Sequence, residues 1–474
     1  MQPGEQIGME SVDFQDHKHL IVPSLQRMRA GNIMPSKPTA LVHVNIIPMD
    51  EECVLGDQTM IVQDGRTQQI GAASSTEIPA EARRIDSTGK YLIPALADMH
   101  IHLEGSAWNI MFPPESYYSN DDLDFEKILF PYLANGIATA QVMSALPEHI
   151  PLRDRINRGE VAGPRLILNR MIDGPGQTWP PPINTWVETP SEARQAVLEA
   201  EQAGYDGMKV YSFLSPECYH AILTTAQEIS MPVSGHIPDA LSVEEIIAAG
   251  QNLIAHSEEV MKRAQENYDP QQIDYFAGII ASSDTWVTPT LTTSRKILAI
   301  FDDLQGELSK PEIRTLHPMA LGVWSYLTEN IYLKIPPEHH QAIREGFESF
   351  QLPFTKALQD KGVKLMTGTD ALIPTNIPGF SIHDELVELV GTGLTPYEAL
   401  KASTTHPMEY LGELDDAGSI DIGKRADLVL LEANPLEDIS STRLIDGVMI
   451  WGRWYTRSDL DMRLEEVALA NMKR

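Results

Sequence analysis

Tyr91-Leu92-Ile93-Pro94-Ala95-Leu96-Ala97-Asp98-Met99-His100-Ile101-His102 is the stretch on which the reading of this chain turns. An apolar run ends in two histidines separated by one residue. Successive strand side chains point to opposite faces, so residues two apart share a face. If the run is a strand, His100 and His102 aim the same way, and two neutral imidazoles on one face make half of a metal site. A second such triplet, His17-Lys18-His19, has no apolar run before it and reads as a solvated polar segment. The residues downstream of His102 set the first triplet apart.

From about Leu92 the pattern becomes strand, loop, helix, repeated. Further strands are expected at 137–143, 165–171, 207–211, 232–236, 252–256, 286–288 and 363–366, with helices between them. With the first run this makes eight βα units, the pattern of an α/β fold of the (β/α)₈ TIM-barrel type. One connection is oversized. Residues 291–361 are helix-rich and hold Trp324, Tyr326 and the pair His339-His340, far more than a crossover needs. They read equally well as a lid or subunit contact and as a packed decoration. The two adjacent histidines would point apart on any regular element and are expected at the surface.

Both flanks of the barrel are β-rich. Residues 40–47 form a strand candidate, and 59–63 and 68–70 flank Asp64-Gly65, a hairpin signal. Strand patterning returns at 418–423, 426–431 and 448–451. The expected organisation is an N-terminal extension over 1–38, a small β-sandwich domain built from 39–91 plus 413–460, and a barrel over 92–412 with its insertion at about 291–361.

Composition bounds the function. Of 474 residues, 42% are hydrophobic, enough to bury a full core and exclude wholesale disorder. Lys plus Arg is 36 against 67 for Asp plus Glu, a net charge of −31 spread along the chain. Such a surface repels phosphate backbones and anionic lipid heads, so neither nucleic acid nor membrane is an expected partner. Cys53 and Cys218 are the only cysteines, too few for a disulfide framework or a thiolate zinc site. No window approaches a membrane span, and the polar N-terminus has no apolar signal core, which points to the cytoplasm.

Active sites of this barrel sit at the carboxyl ends of the strands. Ligand-type residues occur at those places: His100 and His102 at the end of strand one, Lys209 on strand four, His236 ending strand five, His256 ending strand six, Asp370 ending strand eight. Any one histidine would more often be structural. A lysine on a barrel strand is harder to dismiss, because lysine is rarely buried without a partner. Tyr211 shares a face with Lys209 and could reach a substrate or an oxyanion, or could simply pack the barrel. The loops after strands one and three are rich in aromatics and prolines, with Trp108, Phe112, Tyr117, Tyr118, Trp179 and Trp186. Stiff aromatic walls bind apolar groups at low ordering cost; the same rings could instead pack the loops together or face a neighbouring subunit.

Residues 92–102, with 208–211, 233–236, 253–257, 367–370 and the tail 418–429, resemble the amidohydrolase superfamily over about residues 39–456. The resemblance lies in the ordered set and not in any single motif. One departure is Ala95, where relatives usually place glycine. Within the superfamily the chain looks most like the imidazolonepropionase-related, prolidase-like group, which acts on dipeptides ending in Pro, Arg or other residues, on N-acyl amino acids, or on aromatic amides such as ochratoxin. The resemblance implies two Zn²⁺ ions, with His100, His102 and Asp370 on the more buried one, His236 and His256 on the other, and a carboxylated Lys209 bridging both. It implies a bridging hydroxide that attacks the amide carbonyl, and Asp370 moving its proton to the leaving amine. It also implies a homo-oligomer whose size nothing in the sequence fixes.

The expected activity is therefore C–N hydrolysis of a small amide. Deamination or cyclic-amide opening is the nearest competitor; the deaminases of the superfamily typically use one metal and lack the bridging lysine, so Lys209 argues against them. A lactonase or organophosphate hydrolase is chemically open, because the same hydroxide attacks esters. A non-catalytic scaffold is a different class of answer, disfavoured because all six ligand positions are filled.

Overall fold

The computed structural model describes residues 37–176, 179–264 and 268–472. The triplet His17-Lys18-His19 and the rest of the expected extension up to residue 36 lie outside them. Two sheets organise the chain, and the apolar run at Tyr91 passes from one to the other.

The small sheet is built from β1 (Thr39–Ile46), β2 (Leu55–Gln63), β3 (Arg66–Ala72), β4 (Arg83–Asp86) and β5 (Tyr91–Pro94) at the start of the chain. As expected, β2 and β3 form a hairpin around Asp64-Gly65, whose φ values of 51° and 69° are those of a tight primed turn. β5 lies between β1 and a strand from the other end of the chain.

The barrel comes next. Its strands are β6 (Leu96–Ile101), β7 (Ile137–Val142), β8 (Arg165–Asp173), β10 (Gly207–Val210), β11 (Val233–Gly235), β12 (Leu253–Ala255) and β13 (Trp286–Thr288), paired in parallel in that order; β9 (Thr185–Trp186) is a short extra strand on β8. The expected eighth strand at 363–366 makes no regular ladder. It closes the barrel through single bridges, Val287 to Leu365 on one side and Ile101 to Ala371 on the other. Met366 N donates to Val287 O at 2.9 Å, and Met99 N donates to Thr367 O at 2.8 Å. Buried Ala97, Met99, Ile167, Leu253, Ala255 and Met366, from β6, β8, β12 and the closing segment, meet in one cluster inside this ring.

Helices between the strands begin and end on local signals. Thr189 with Glu192 and Ser242 with Glu245 form reciprocal caps at the starts of Pro190–Ala203 and Val243–Ala248. Gly204, at φ 96°, ends the first of these.

The chain then returns to the small sheet with β14 (Leu428–Leu431), β15 (Ile445–Ile450) and β16 (Arg453–Thr456), and β14 pairs antiparallel with β5. Two expectations need correction. The continuous run from Tyr91 is two strands, because Ala95 breaks it: its N–H donates to Asp427 O in the small sheet, while the next, Leu96 N, donates to Gly136 O in the barrel. Residues 418–423 form turns and not a strand; they are stitched to the sheet by Ile420 N to Pro48 O and Gly423 N to Thr67 O, both 2.8 Å.

The insertion is helical, with Leu291–Leu308, Pro318–Asn330, Pro337–Gly346 and Leu352–Asp360 as its main elements. His339 is exposed as expected. His340 is half-buried, because its ring stacks on Phe301 with centroids 3.8 Å apart.

Candidate metal centre

β6 carries His100 and ends beside His102, and the closing segment delivers Asp370 to both. Asp370 Oδ1 lies 3.3 Å from His100 Nε2 and 3.0 Å from His102 Nε2. The donor atoms of these three residues all fall within 4.8 Å of one another, a spacing one cation could span. His100 is fully buried, and neither ring nitrogen has a hydrogen-bond partner. A buried polar atom without a partner costs roughly 1–3 kcal/mol, and a bound cation would remove that cost. The donor set fits a metal.

The other candidate residues are close by. The His256 ring stands 4.5 Å from that of His100 and 5.0 Å from that of His236. His236 lies under the Tyr211 ring at 4.0 Å, and Lys209 Nζ is 5.8 Å from the same tyrosine ring. All seven residues singled out in the sequence therefore sit at one end of the barrel. The barrel strands make this possible through two glycines. At Gly235 (φ 136°) a side chain would meet Val210 O at 2.1 Å and Lys209 Cδ at 3.0 Å; at Gly368 it would meet Thr288 Cγ2 at 2.5 Å and His100 Cβ at 2.7 Å.

The surroundings favour neutral rings at His100, His236 and His256. Burial, with Lys209 next in weight, holds His100 and His236 well below the usual imidazole range, and burial brings His256 down to about 4. Neutral imidazoles are the form that binds metal. Burial also depresses Lys209, to about 8, against the opposing charges of Asp370 and Glu259. Burial pushes Asp370 up, but the hydrogen bond with His102 and the neighbouring His256, His102 and Lys209 outweigh it and hold the carboxyl below its ordinary value. His256 and Asp370 adopt positive φ, 71° and 54°, a strained backbone for non-glycine residues.

Several supporting residues carry no signal that the sequence reading caught. Asp98, buried at the strand-one end, accepts from His100 N at 3.3 Å, Thr369 N at 3.0 Å and Thr369 Oγ1 at 2.6 Å, locking β6 to the closing segment. Three histidines are each backed at Nδ1 by a hydroxyl: His102 by Ser144 at 2.6 Å, His236 by Ser212 at 3.0 Å, His256 by Thr290 at 2.7 Å. Each hydroxyl belongs to the residue two past the end of a neighbouring strand, a position that could have been searched. From the insertion, Tyr332 comes within electrostatic reach of the Asp370 and Glu258 carboxylates.

The aromatic loops are tied to the centre. Trp179 Nε1 donates to Tyr211 Oη at 2.9 Å, and Trp186 Nε1 donates to Trp179 O at 3.3 Å. Trp108 is buried edge-on to both Trp179 and His102, at 5.6 and 6.2 Å. Phe112 packs on Tyr118 and Tyr118 on His317 of the insertion, whereas Tyr117 is exposed.

The family model described as "Amidohydrolase family" matches residues 91–455, most of the chain. The chain belongs to the amidohydrolase family. It is a hydrolase acting on carbon–nitrogen bonds, in a family that generally binds metal. Among curated proteins it is 24% identical over 419 residues to a 5-methylthioadenosine/S-adenosylhomocysteine deaminase from Symbiobacterium thermophilum, covering 82% of this chain and 84% of that one. Among solved structures it is similar to a putative prolidase from Bifidobacterium longum, with a TM-score of 0.68, 24% identity, and coverage of 92% of this chain and all of the other. A Xaa-Pro dipeptidase with bound methionine in its active site gives a TM-score of 0.68 at 21% identity, covering 89% and 100%. These two likenesses establish the shared fold of the amidohydrolase. No helix among its described residues is long and apolar enough to cross a membrane.

Proposed function

We propose that this amidohydrolase cleaves the amide bond of small substrates, such as dipeptides, N-acyl amino acids or ochratoxin-type aromatic amides, at a two-zinc centre held by His100, His102, Lys209, His236, His256 and Asp370. The observation that carries the reading is Lys209. It is 1% exposed on β10, among four histidines, and no carboxylate among the described residues lies within 4.0 Å of its amine. A buried, depressed lysine holds a larger share of neutral amine. That amine can add to carbon dioxide, forming one N–C bond and releasing one proton, which leaves a carboxylate on a long stem suited to bridge two cations.

When bound, the metals supply Lewis acidity and lower the pKa of a water. The side chains do the rest. Asp370, held ionised by its neighbours, takes the proton of the attacking water and passes it to the leaving nitrogen. Tyr211 Oη accepts from Trp179, so its own proton is free to donate to the carbonyl oxygen as charge develops there. The Trp108 and Trp179 rings beside His102 and Tyr211 favour a substrate with a bulky apolar group.

The curated deaminase relative motivates a second reading, hydrolytic deamination. Lys209 tells against it, since a single-metal deaminase has no use for a bridging ligand. Lactone or phosphotriester hydrolysis on the same centre is an alternative that a substrate screen separates.

The test is a screen of dipeptides and N-acyl amino acids on zinc-loaded protein, with methylthioadenosine as the deamination arm. A matched series with Phe, Leu, Ala, Lys and Asp on one side of a fixed amide should favour Phe and Leu in kcat/KM. Equal rates, or preference for Lys or Asp, would rule out the apolar wall; turnover of methylthioadenosine alone would replace the proposal.

A further inference from the structure

The four histidines of the centre are not supported alike. His102, His236 and His256 each have a hydroxyl at Nδ1, and His100 has none. A hydroxyl both donates and accepts, so it satisfies either tautomer of its imidazole and enforces neither. His236 has a second neighbour at the same atom. Glu259 Oε1 stands 3.3 Å from His236 Nδ1, and Glu259 is 1% exposed. A carboxylate can only accept. Its charge disfavours a bare lone pair at Nδ1 and favours the N–H there, which leaves the Nε2 lone pair for a cation. Among the described residues no other histidine of the centre has a carboxylate at Nδ1.

The placement of Glu259 is fixed from several sides. Lys262 Nζ lies 2.8 Å from Oε1, Ile237 N donates to Oε2 at 3.3 Å, and Arg263 Nη1 is 3.7 Å from Oε2. Arg263 in turn donates to Ile237 O at 2.6 Å and Pro238 O at 2.8 Å, next to His236 in the chain. The turn Ser257–Met261, which carries Glu259, comes directly after His256. One short piece of backbone thus supplies one candidate ligand and steadies another.

We propose that Glu259 is a positioning residue that sets the tautomer and orientation of His236, and so secures the His236–His256 half of the centre selectively; this rests on the two-metal reading of the site. Losing such a carboxylate behind a ligand histidine typically costs ~10- to 100-fold in metal affinity. The measurement is zinc retained per chain by the full-length protein across a series of zinc-buffered solutions, with circular dichroism as a check on folding. Wild type should hold two zinc ions. Glu259→Gln should release one of them at ~10- to 100-fold higher free zinc than wild type, while the other keeps its wild-type midpoint. Asp239→Asn removes an exposed carboxylate 3.5 Å from Arg263 but leaves Glu259 and its Lys262 contact beside His236, and should stay within about threefold of wild type.

Unchanged midpoints in Glu259→Gln would overturn the proposal. So would Asp239→Asn matching Glu259→Gln, since loss of any nearby negative charge would then explain the effect. If Glu259→Gln fails to fold, Glu259→Asp draws the carboxylate back by one methylene and should show the same selective loss; loss of both ions together, or of neither, overturns the idea. A wild-type chain that holds one zinc, weakened by Glu259→Gln, would refute the two-metal reading and keep the role of Glu259. One zinc that Glu259→Gln leaves unmoved would refute both.

Discussion

Gly368→Ala should damage the metal centre without touching a ligand. The added methyl would sit 2.5 Å from Thr288 Cγ2, 2.7 Å from His100 Cβ and 3.1 Å from His100 N, where ordinary contact begins at 3.4 Å. The two carbon contacts are short by roughly 0.7–0.9 Å, and something must move by about that much. Thr288 belongs to β13, whose backbone is paired on both sides, so it yields little. His100 is held through its own backbone, with N near Asp98 and O accepting from Asp370 N at 2.7 Å. Pushing either shifts both His100 and Asp370. Overpacking of this kind costs ~1–3 kcal/mol of stability, and a ~1 Å misplacement of a reacting group costs ~10²-fold in rate. The expected variant is folded, melts a few degrees lower, retains less zinc and turns over about a hundredfold more slowly. Gly278→Ala, in the helix Pro270–Ala281 with nothing within 4 Å of the new methyl, is the control and should gain ~0.5–1 kcal/mol. Zinc content, melting temperature and kcat measured on both variants decide the matter. Wild-type zinc and turnover in Gly368→Ala would refute the reasoning.

Three further outcomes are expected. Lys209→Ala should lose zinc and activity and recover part of both on adding short carboxylates such as formate or acetate; full activity without them would remove Lys209 from the centre. Asp370→Asn keeps shape and loses the base, so kcat should fall by at least ~10²-fold in a folded protein, and near-normal turnover would exclude Asp370 as the proton carrier. Burial brings His383, which is not among the candidate ligands, down to about 3, and its Nε2 is buried without a partner. Its folded pKa is below the unfolded value of 6.5, so the unfolded chain binds the extra proton in between. The stability tied to its neutral form is complete above 6.5 and is lost as pH falls below it. The slope of stability between about pH 5 and 7 should therefore be shallower in His383→Gln than in wild type; equal slopes would refute this.

The barrel was legible because its signal is repeated: each unit restates the same alternation, and each candidate ligand falls where a strand ends. The supporting parts are singular, and singular parts leave no pattern. Ser144, Ser212 and Thr290 are ordinary residues in loops, and only the fold shows that each stands behind a histidine. Glu259 reads as one of two surface acids until β11 and β12 bring it to His236. The change of sheet at Ala95 was hidden for the opposite reason, although the residue itself stood out as a departure from glycine. Apolar residues surround it on both sides, so the run looks continuous although its hydrogen bonds change sheets there. Residues 418–423 misled because glycine and alternating isoleucines suit both a strand and consecutive turns, and backbone bonds to Pro48 and Thr67 favour the turns.

The junction at Ala95 has a consequence for the order of assembly. The strand that carries His100 hangs, one residue away, from β5, and β5 is gripped on one edge by β1 and on the other by β14. β1 is synthesised before it; β14, at Leu428–Leu431, emerges only after every candidate ligand, Asp370 included, has left the ribosome. A growing chain therefore holds the complete candidate set for a time while the strand that carries His100 is anchored on one side only. Metal taken up in that interval would be held by a centre whose frame is still open. A chain halted at residue 412 would freeze that state, with all six candidate ligands present and β5 unpaired on its β14 edge.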